Sequence, residues 1–337
     1  MPNRQLIEKV DPYAINGEYR RYTLFLNKAT TKIKEMQESK NTHEVPNEGY
    51  VNAIKTYPDI LNFDKHRING IKANNWKEYV IYSSKWYKYV DHLIFVDENQ
   101  QFLYPAQYYQ NDNYREDGHF AYQRTAHFYD AAKSKQPLTK NIVEEKTTLQ
   151  ILQNSISGWT TLILIIFVVL FAADIVTNDC KYYSVLKDIP LSKNTILWIK
   201  TGVVEIGVLF NYLLAFIVVT LCTAPRYGFG SFMLRTTFYT GRLYFIQPFK
   251  YPTLGNYFIQ FGTFAILIVF LFIRLTILLS IIFKNEYVAE LLASVFAISG
   301  KVLYFSLGMG FVYPILQSLP MTYFTIGASL SGNLSLA

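Results

Sequence analysis

The spacing of hydrophobic positions changes about halfway along the chain. In residues 1–150, apolar and aromatic side chains recur every three or four positions between charged ones, which is typical of helices that bury one face. In residues 151–337, apolar residues instead form runs of about 20, the length that crosses a hydrocarbon core. The pattern therefore predicts a mostly helical polar domain at 1–150 and a transmembrane domain at 151–337.

Three helices are predicted in the polar domain, at residues 18–40, 74–96 and 116–135. Helical spacing gives the first an apolar side with Tyr22, Leu26 and Ile33. The apolar sides of the second and third are formed by Trp76, Tyr79, Val80, Ser83, Trp86, Tyr87, Val90, Phe120, Arg124, Phe128 and Ala131. We expect the many tyrosines to pack in the core and at a membrane-facing rim, or to form a surface that contacts a peptide or a lipid.

Four apolar runs are predicted to cross a membrane, at about 158–176, 201–222, 257–283 and 287–316, and a polar loop at 177–200 separates the first two. The fourth run is long enough to exceed about 40 Å as a helix, so we expect it to tilt, bend or protrude. The fold class is therefore mainly α: a polytopic α-helical membrane protein with about four spans. An even number of spans places both ends of the chain on one side.

Composition and charge add less information about the fold than the pattern of hydrophobic positions does. The chain is 51% hydrophobic and 17% charged, and its formal net charge of +7 is spread out, without a basic cluster that would suit nucleic acid. Five basic residues lie in 177–200 and 284–286, against four in the connection 223–256, so the positive-inside rule leaves the orientation open. That connection is aromatic and rich in glycine, which fits an interfacial loop or a short re-entrant or surface-lying helix pair.

Motifs for catalysis are absent from the sequence. It contains no phosphate-binding G-x-x-x-x-G-K-[ST], no H-E-x-x-H, no G-x-S-x-G and no C-x-x-C. His92, His119 and His127 lack metal-ligand spacing, and we expect them to be surface or half-buried residues. Cys180 and Cys222 flank opposite ends of one predicted span, so no bond forms between them within one chain. We predict no enzyme, no metal site and no cofactor on this chain, and any nucleotide energy must come from another chain.

Charged residues within the predicted spans are Asp174, Glu205, Arg274, Glu290 and Lys301. Such groups are costly in a membrane and usually face the protein interior. Asp174 and Glu205 lie near the face of the loop 177–200, whereas Arg274 lies roughly 15 Å from the turn at Lys284 and Lys301 lies deeper still. Arg274 and Lys301 therefore need a partner, a water-filled cavity or a lipid phosphate. For Arg274, a static interhelical bond and a role lining a pathway both remain open.

The loop between the first two predicted spans contains residues that begin and end helices. Residues 179–187 are predicted to form one short amphipathic helix with an apolar side of Tyr182, Val185 and Leu186. Pro190 ends this helix, and Ser192 is placed to cap the next one through its side-chain oxygen. Trp198 then enters the membrane at interface depth.

This arrangement resembles the cytoplasmic coupling helix of bacterial type-two ABC exporter permeases, in which a Pro-aliphatic-Ser/Thr turn follows a short helix and a basic residue begins the next span. The stretches "FKYPTLGNY" (249–257) and "LPMTYFTIGASLSG" (319–332) are similar to the turn before a later span and to the outer loop of the same family. Family members also carry a helical outer domain. Many have a Glu and a Gly in the coupling helix, where this chain has Asp179 and no Gly.

The resemblance implies a membrane subunit of an ATP-driven exporter of a peptide, lipid or drug-like substrate. Its loop 177–200 would be cytoplasmic, residues 1–150 would be extracellular and the chain would lie in the cell membrane among lipids. Its partners would be a second permease subunit and an ABC ATPase subunit that binds ATP and Mg. The residues expected to contact that ATPase are Lys181, Tyr182, Tyr183, Val185, Leu186, Lys187, Pro190 and Ser192.

Two spans of the family pattern, before the outer domain and after the outer loop, are missing here, which implies a truncated or split permease. The alternative function is a membrane receptor or immunity protein that binds a peptide through its outer domain without transport.

Overall fold

The computed structural model describes most of the chain, in two compact units. The described residues are 10–38, 46–105, 114–132, 137–156, 160–181, 190–236, 238–239, 249–299 and 302. The chain divides between Lys146 and Thr147, apart from residues 235–237, which group with the first unit. We call residues before the division the polar unit and those after it the apolar unit.

Within its described residues, the polar unit consists of four long helices and a short fifth one. They are α1 (Pro12–Glu38), α2 (Glu48–Lys72), α3 (Trp76–Phe95), α4 (Tyr114–Ala132) and α5 (Lys140–Val143). Each of the first four packs against the next. The mostly helical character predicted for this region is therefore observed, with α1 beginning six residues before the predicted start at residue 18.

Ring contacts show that successive helices run antiparallel. His66 of α2 stacks on Tyr82 of α3 with 4.0 Å between ring centroids, while Phe63, one turn earlier, contacts Tyr89, two turns later. The same reversal relates α1 to α2 and α3 to α4, in the ring pairs Tyr22–Tyr57, Phe25–Tyr50, Tyr79–Tyr129 and Tyr87–Tyr122. The polar unit is thus an up-and-down helical bundle with an aromatic core.

The second helix, α2, was missing from the sequence prediction. It contains Pro58 and many polar residues, which obscure its period, yet Ile60, Arg67 and Ile68 are buried on one side of it. The predicted apolar side of α3 is confirmed, because all of its members are buried except Trp76, which is partly buried.

The described part of the apolar unit contains five helices, among them those with membrane-spanning character. They are α6 (Thr148–Ile156), α7 (Thr160–Lys181), α8 (Lys193–Tyr227), α9 (Leu254–Phe283) and α10 (Glu286–Ser299). By length and composition, α8 and α9 are each sufficient to cross a membrane, and the segment Lys140–Ile156 joined to Thr160–Ala173 makes a third candidate with a bend of 61°. The fourth predicted run is described only as far as α10, apart from residue 302, and the rest of it lies outside the described residues.

Small residues allow the apolar unit to pack closely around α7, α9 and α10. Ala289, Ala293 and Ala297 recur every fourth position of α10 and are fully buried, which lets neighbouring helix backbones approach. The hydroxyl of Ser280 in α9 donates a hydrogen bond of 3.0 Å to the carbonyl of Ala173 in α7. In contrast, α8 lies at the periphery, and only 6% of its most apolar window is buried inside the unit.

The connection after α8 turns sharply and returns to α6. The helix ends at Gly228, whose φ of 80° is a conformation that favours glycine. The amide of Thr148 donates to the carbonyl of Gly228, so this turn supplies an acceptor for the first turn of α6. Beyond it, β1 (Phe238–Tyr239) pairs antiparallel with β2 (Phe249–Lys250). The described part of this connection contains no helix after Tyr227, and residues 240–248 lie outside the described residues.

Candidate functional sites

The turn before α8 has the capping geometry that the sequence predicts. The Ser192 hydroxyl accepts a hydrogen bond of 3.1 Å from the Thr195 amide, and its oxygen lies 2.7 Å from the Thr195 hydroxyl. Pro190 and Leu191 are exposed just before it. The helix therefore begins at Lys193, eight residues before the predicted span, because the cap provides an acceptor for an N–H group of its first turn.

The segment before this turn is only partly described. α7 continues without interruption through Asp179 to Lys181, so the first three residues of the predicted amphipathic helix belong to the preceding membrane helix. Tyr182, Tyr183, Val185, Leu186 and Lys187 lie outside the described residues. The described ends of the predicted coupling segment are Lys181, where α7 ends, and Pro190–Ser192, just before α8.

Arg274 lies between aromatic rings at the contact of α8 and α9. Its Cζ atom is 3.5 Å from the ring centroid of Trp198 in α8 and 5.4 Å from that of Phe270, one turn earlier in α9. The two rings are themselves stacked, 6.0 Å apart at an angle of 24°. Its Nη2 atom is buried and has no hydrogen-bond acceptor in the part of the chain that the structure describes. The contact of a guanidinium with an aromatic face is attractive but leaves the N–H groups unsatisfied.

This contact links two residues whose depths the sequence predicts separately. Trp198 is expected at the interface and Arg274 roughly 15 Å from the turn at Lys284, and both depths stay predictions. α8 begins five residues before Trp198, whereas α9 continues nine residues beyond Arg274. The two helices run antiparallel, since Trp198 contacts Phe270 and Phe216 contacts Phe258, so the start of α8 is set back from the end of α9 by roughly 6 Å.

The other charges within the predicted spans are described only in part. Asp174 lies in α7, although its side chain is outside the described residues, as is Lys301. Glu205 is half-buried on α8 and Glu290 half-buried on α10. Among the side chains that the structure describes, Glu205 forms no salt bridge, and the depth that it is expected to share with Asp174 stays a prediction.

Sequence reasoning missed a buried polar cluster in the polar unit. The Asp91 carboxylate of α3 accepts hydrogen bonds from the Tyr104 hydroxyl at 2.6 Å, from Nδ1 of His119 at 2.9 Å and from Nε2 of Gln123 at 2.6 Å. His119 also stacks on Phe95. Three donors hold a carboxylate that is almost fully buried, which ties α3 to α4 and to the loop between them. The only sign of this cluster in the sequence is Asp91 itself, an acidic residue that directly follows the apolar side of α3.

Burial shifts the pKa of several titratable groups of this unit, among them His127 and Tyr22. The pKa of His127 is lowered, chiefly because burial disfavours the imidazolium and then because Lys88 lies nearby, while Asp130 acts in the opposite direction. Burial among aromatic neighbours, aided by Glu18, raises the pKa of Tyr22 to about 12. The described side chains include no group of three His, Cys, Asp or Glu residues that could hold a metal ion.

Comparisons of the chain with protein-family models, with curated proteins and with solved structures give no significant match. The class of protein therefore rests on the fold. The chain is mainly helical, and two or three of its helices are long and apolar enough to cross a membrane, consistent with an α-helical membrane protein.

Proposed function

We propose that the chain is the membrane-spanning permease subunit of an ATP-driven exporter, with its ATPase on a separate chain. The observation that carries this proposal is the short connection between α7 and α8. It leaves α7 at Lys181, passes the exposed Pro190 and Leu191, and ends at the Ser192 cap. Such a connection, flanked by two apolar helices and closed by a fixed turn, is what the coupling element of a type-two permease requires.

A capped, rigid entry into α8 gives the proposal its mechanism. The hydrogen bond between Ser192 and Thr195 fixes the direction in which the chain enters the helix. A displacement of residues 182–191 by an ATPase would then reach α8 directly, because a helix transmits a push that a flexible loop would absorb. At the periphery of its unit, α8 has few contacts to break when it moves. Transport in this proposal proceeds by rocking of helices around the packed group α7, α9 and α10.

The proposal also implies an orientation in the membrane and a role for the remaining parts of the chain. The connection 177–200 would face the cytoplasm, and the polar unit would lie outside the cell, with an aromatic bundle available to a substrate. A second permease subunit would complete the pathway. The transported substrate would be a peptide, a lipid or a drug-like molecule.

Co-purification with a candidate ATPase tests the proposal. We expect Leu186→Glu to abolish capture of the ATPase, because a carboxylate on the apolar side of the coupling segment opposes burial in a groove. The matched control is Leu103→Glu, which makes the same change at an exposed leucine of the polar unit and should leave capture intact.

Equal capture by the two variants would refute the assignment of the coupling segment. Failure of the unchanged chain to capture any ATPase, together with peptide binding by the polar unit, would favour the receptor function instead.

A further inference from the structure

At the contact of α8 and α9 lies a cation, Arg274, that forms no ion pair within the described residues. Arg274 is half-buried, and Trp198 and Phe270 cover part of its guanidinium. No hydrogen-bond acceptor reaches its buried Nη2 atom, and no ion pair of Arg274 is present among the described residues. A guanidinium has five N–H donors, and an aromatic face satisfies none of them. The site is therefore complementary to an oxygen-rich anion.

The surface around Arg274 indicates where that anion comes from. Large apolar side chains are exposed on the same face of α9, three, four and seven residues away from the arginine, at Leu267, Leu271, Leu278 and Ile281. Trp198 and Ile199 extend the exposed apolar surface onto α8. In a membrane these side chains contact acyl chains rather than water. An anion that reaches Arg274 from this side is thus attached to a lipid tail.

Because the start of α8 is set back from the end of α9, lipid head groups beside α8 can approach the depth of Arg274. The cap at Ser192, with Pro190 and Leu191, is exposed and lies only six residues before Trp198, about 9 Å along the helix. Head groups that follow the polar connection approach Arg274 more closely here than beside the end of α9. Arginine side chains also extend toward head groups, and local thinning of the bilayer shortens the remaining distance.

We propose that Arg274 binds the phosphate of an anionic phospholipid from the leaflet in which α8 begins. Trp198 forms one wall of the site by stacking on the guanidinium, and the acyl chains lie along the exposed leucines of α9. Phosphate matches the planar fork of arginine, which donates two parallel hydrogen bonds to such a group. The proposal requires only that α8 and α9 cross a membrane, and it is independent of transport.

Quenching of Trp198 fluorescence by brominated lipids tests the site. The full chain is reconstituted in phosphatidylcholine vesicles that contain, at equal mole fraction, either brominated phosphatidylglycerol or brominated phosphatidylcholine. The difference between the unchanged chain and Trp198→Phe isolates the signal of this tryptophan. We expect the unchanged chain to associate with phosphatidylglycerol about fivefold more strongly than with phosphatidylcholine. In Arg274→Gln, we expect this ratio to fall to about one.

A matched control separates this site from general attraction of anionic lipid. Arg226→Gln removes an arginine that also contacts an aromatic ring, Tyr227, at the end of α8 far from Trp198, and it should keep the preference. Equal quenching by the two lipids in the unchanged chain would overturn the proposal without any variant. So would an unchanged preference in Arg274→Gln, or loss of the preference on adding inorganic phosphate, which would indicate a site for soluble anions.

Discussion

At the scale of single residues, interactions with nearby residues can be predicted from the sequence, whereas interactions with distant residues cannot. Ser192 caps α8 through an amide three residues away, and this bond follows from sequence spacing alone. Asp91, in contrast, obtains its donors from Tyr104, His119 and Gln123, which are 13 to 32 residues away. The same is true of Arg274, whose closest partner is Trp198 on another helix. Chemistry that depends on distant residues becomes visible only after folding.

His127 gives a prediction for the dependence of stability on pH. Its pKa is lowered in the folded chain, so the unfolded chain binds more protons when pH falls below the ordinary value of about 6.5. The free energy of unfolding should therefore be fully maintained above that pH and decrease as the solution is acidified. Chemical unfolding of the detergent-solubilised chain at a series of pH values measures this slope.

The variant His127→Gln should reduce the loss of stability on acidification, because glutamine does not titrate. His92→Gln is the matched control, because it makes the same change at an exposed histidine of the same unit. Identical slopes for His127→Gln and the unchanged chain would contradict the role of this histidine.

At the scale of elements, periodicity located most helices but not their ends or their contacts. The apolar side of α3 follows the 3.6-residue period, and its predicted members are buried. The period of α2 is masked by polar residues such as Asp64 and Arg67, which are buried as an ion pair against Trp86. Caps, rather than hydrophobicity, set the start of α8.

Two glycines within helices should respond oppositely to replacement by alanine. Gly70 lets α2 approach the first turn of α3, and a Cβ atom there would lie 2.8 Å from the Tyr79 backbone nitrogen. Gly70→Ala should therefore destabilise the chain by about 1–3 kcal/mol, since backbone atoms must move apart. Gly17, in α1, has open space around it, and Gly17→Ala should stabilise by about 0.5–1 kcal/mol.

Unfolding of the two variants side by side provides the measurement, and each serves as the control for the other. A loss of stability in Gly17→Ala would contradict the role of helix propensity at that position. A gain of stability in Gly70→Ala would contradict the role of close packing there.

At the scale of the whole molecule, α8 is the element whose orientation determines the topology of the chain. It spans 35 residues, about 52 Å as a helix, which exceeds a hydrocarbon core of about 30 Å. Its exposed surface is apolar over most of its length. Its two ends, near Ser192 and Arg226, should therefore lie on opposite sides of the membrane.

Labelling of introduced cysteines tests this topology. In a background of Cys180→Ser and Cys222→Ser, the changes Ser192→Cys and Arg226→Cys place one thiol at each exposed end of α8. A membrane-impermeant maleimide added to intact cells should label only Arg226→Cys under the proposed orientation, and Ser192→Cys should react only after permeabilisation. Labelling of both positions in intact cells would show that α8 does not cross the membrane.

The sequence by itself determined the properties that are additive along the chain. Apolar runs predicted membrane-crossing helices, amphipathic spacing predicted a helical polar unit, and a proline followed by a serine marked the start of α8, because each depends on neighbours within a few residues. Tertiary structure alone decided the presence of α2 in the bundle, the donors of Asp91 and the contact between Trp198 and Arg274. These depend on the register between separate helices, which is set by packing of side chains that lie far apart in the sequence.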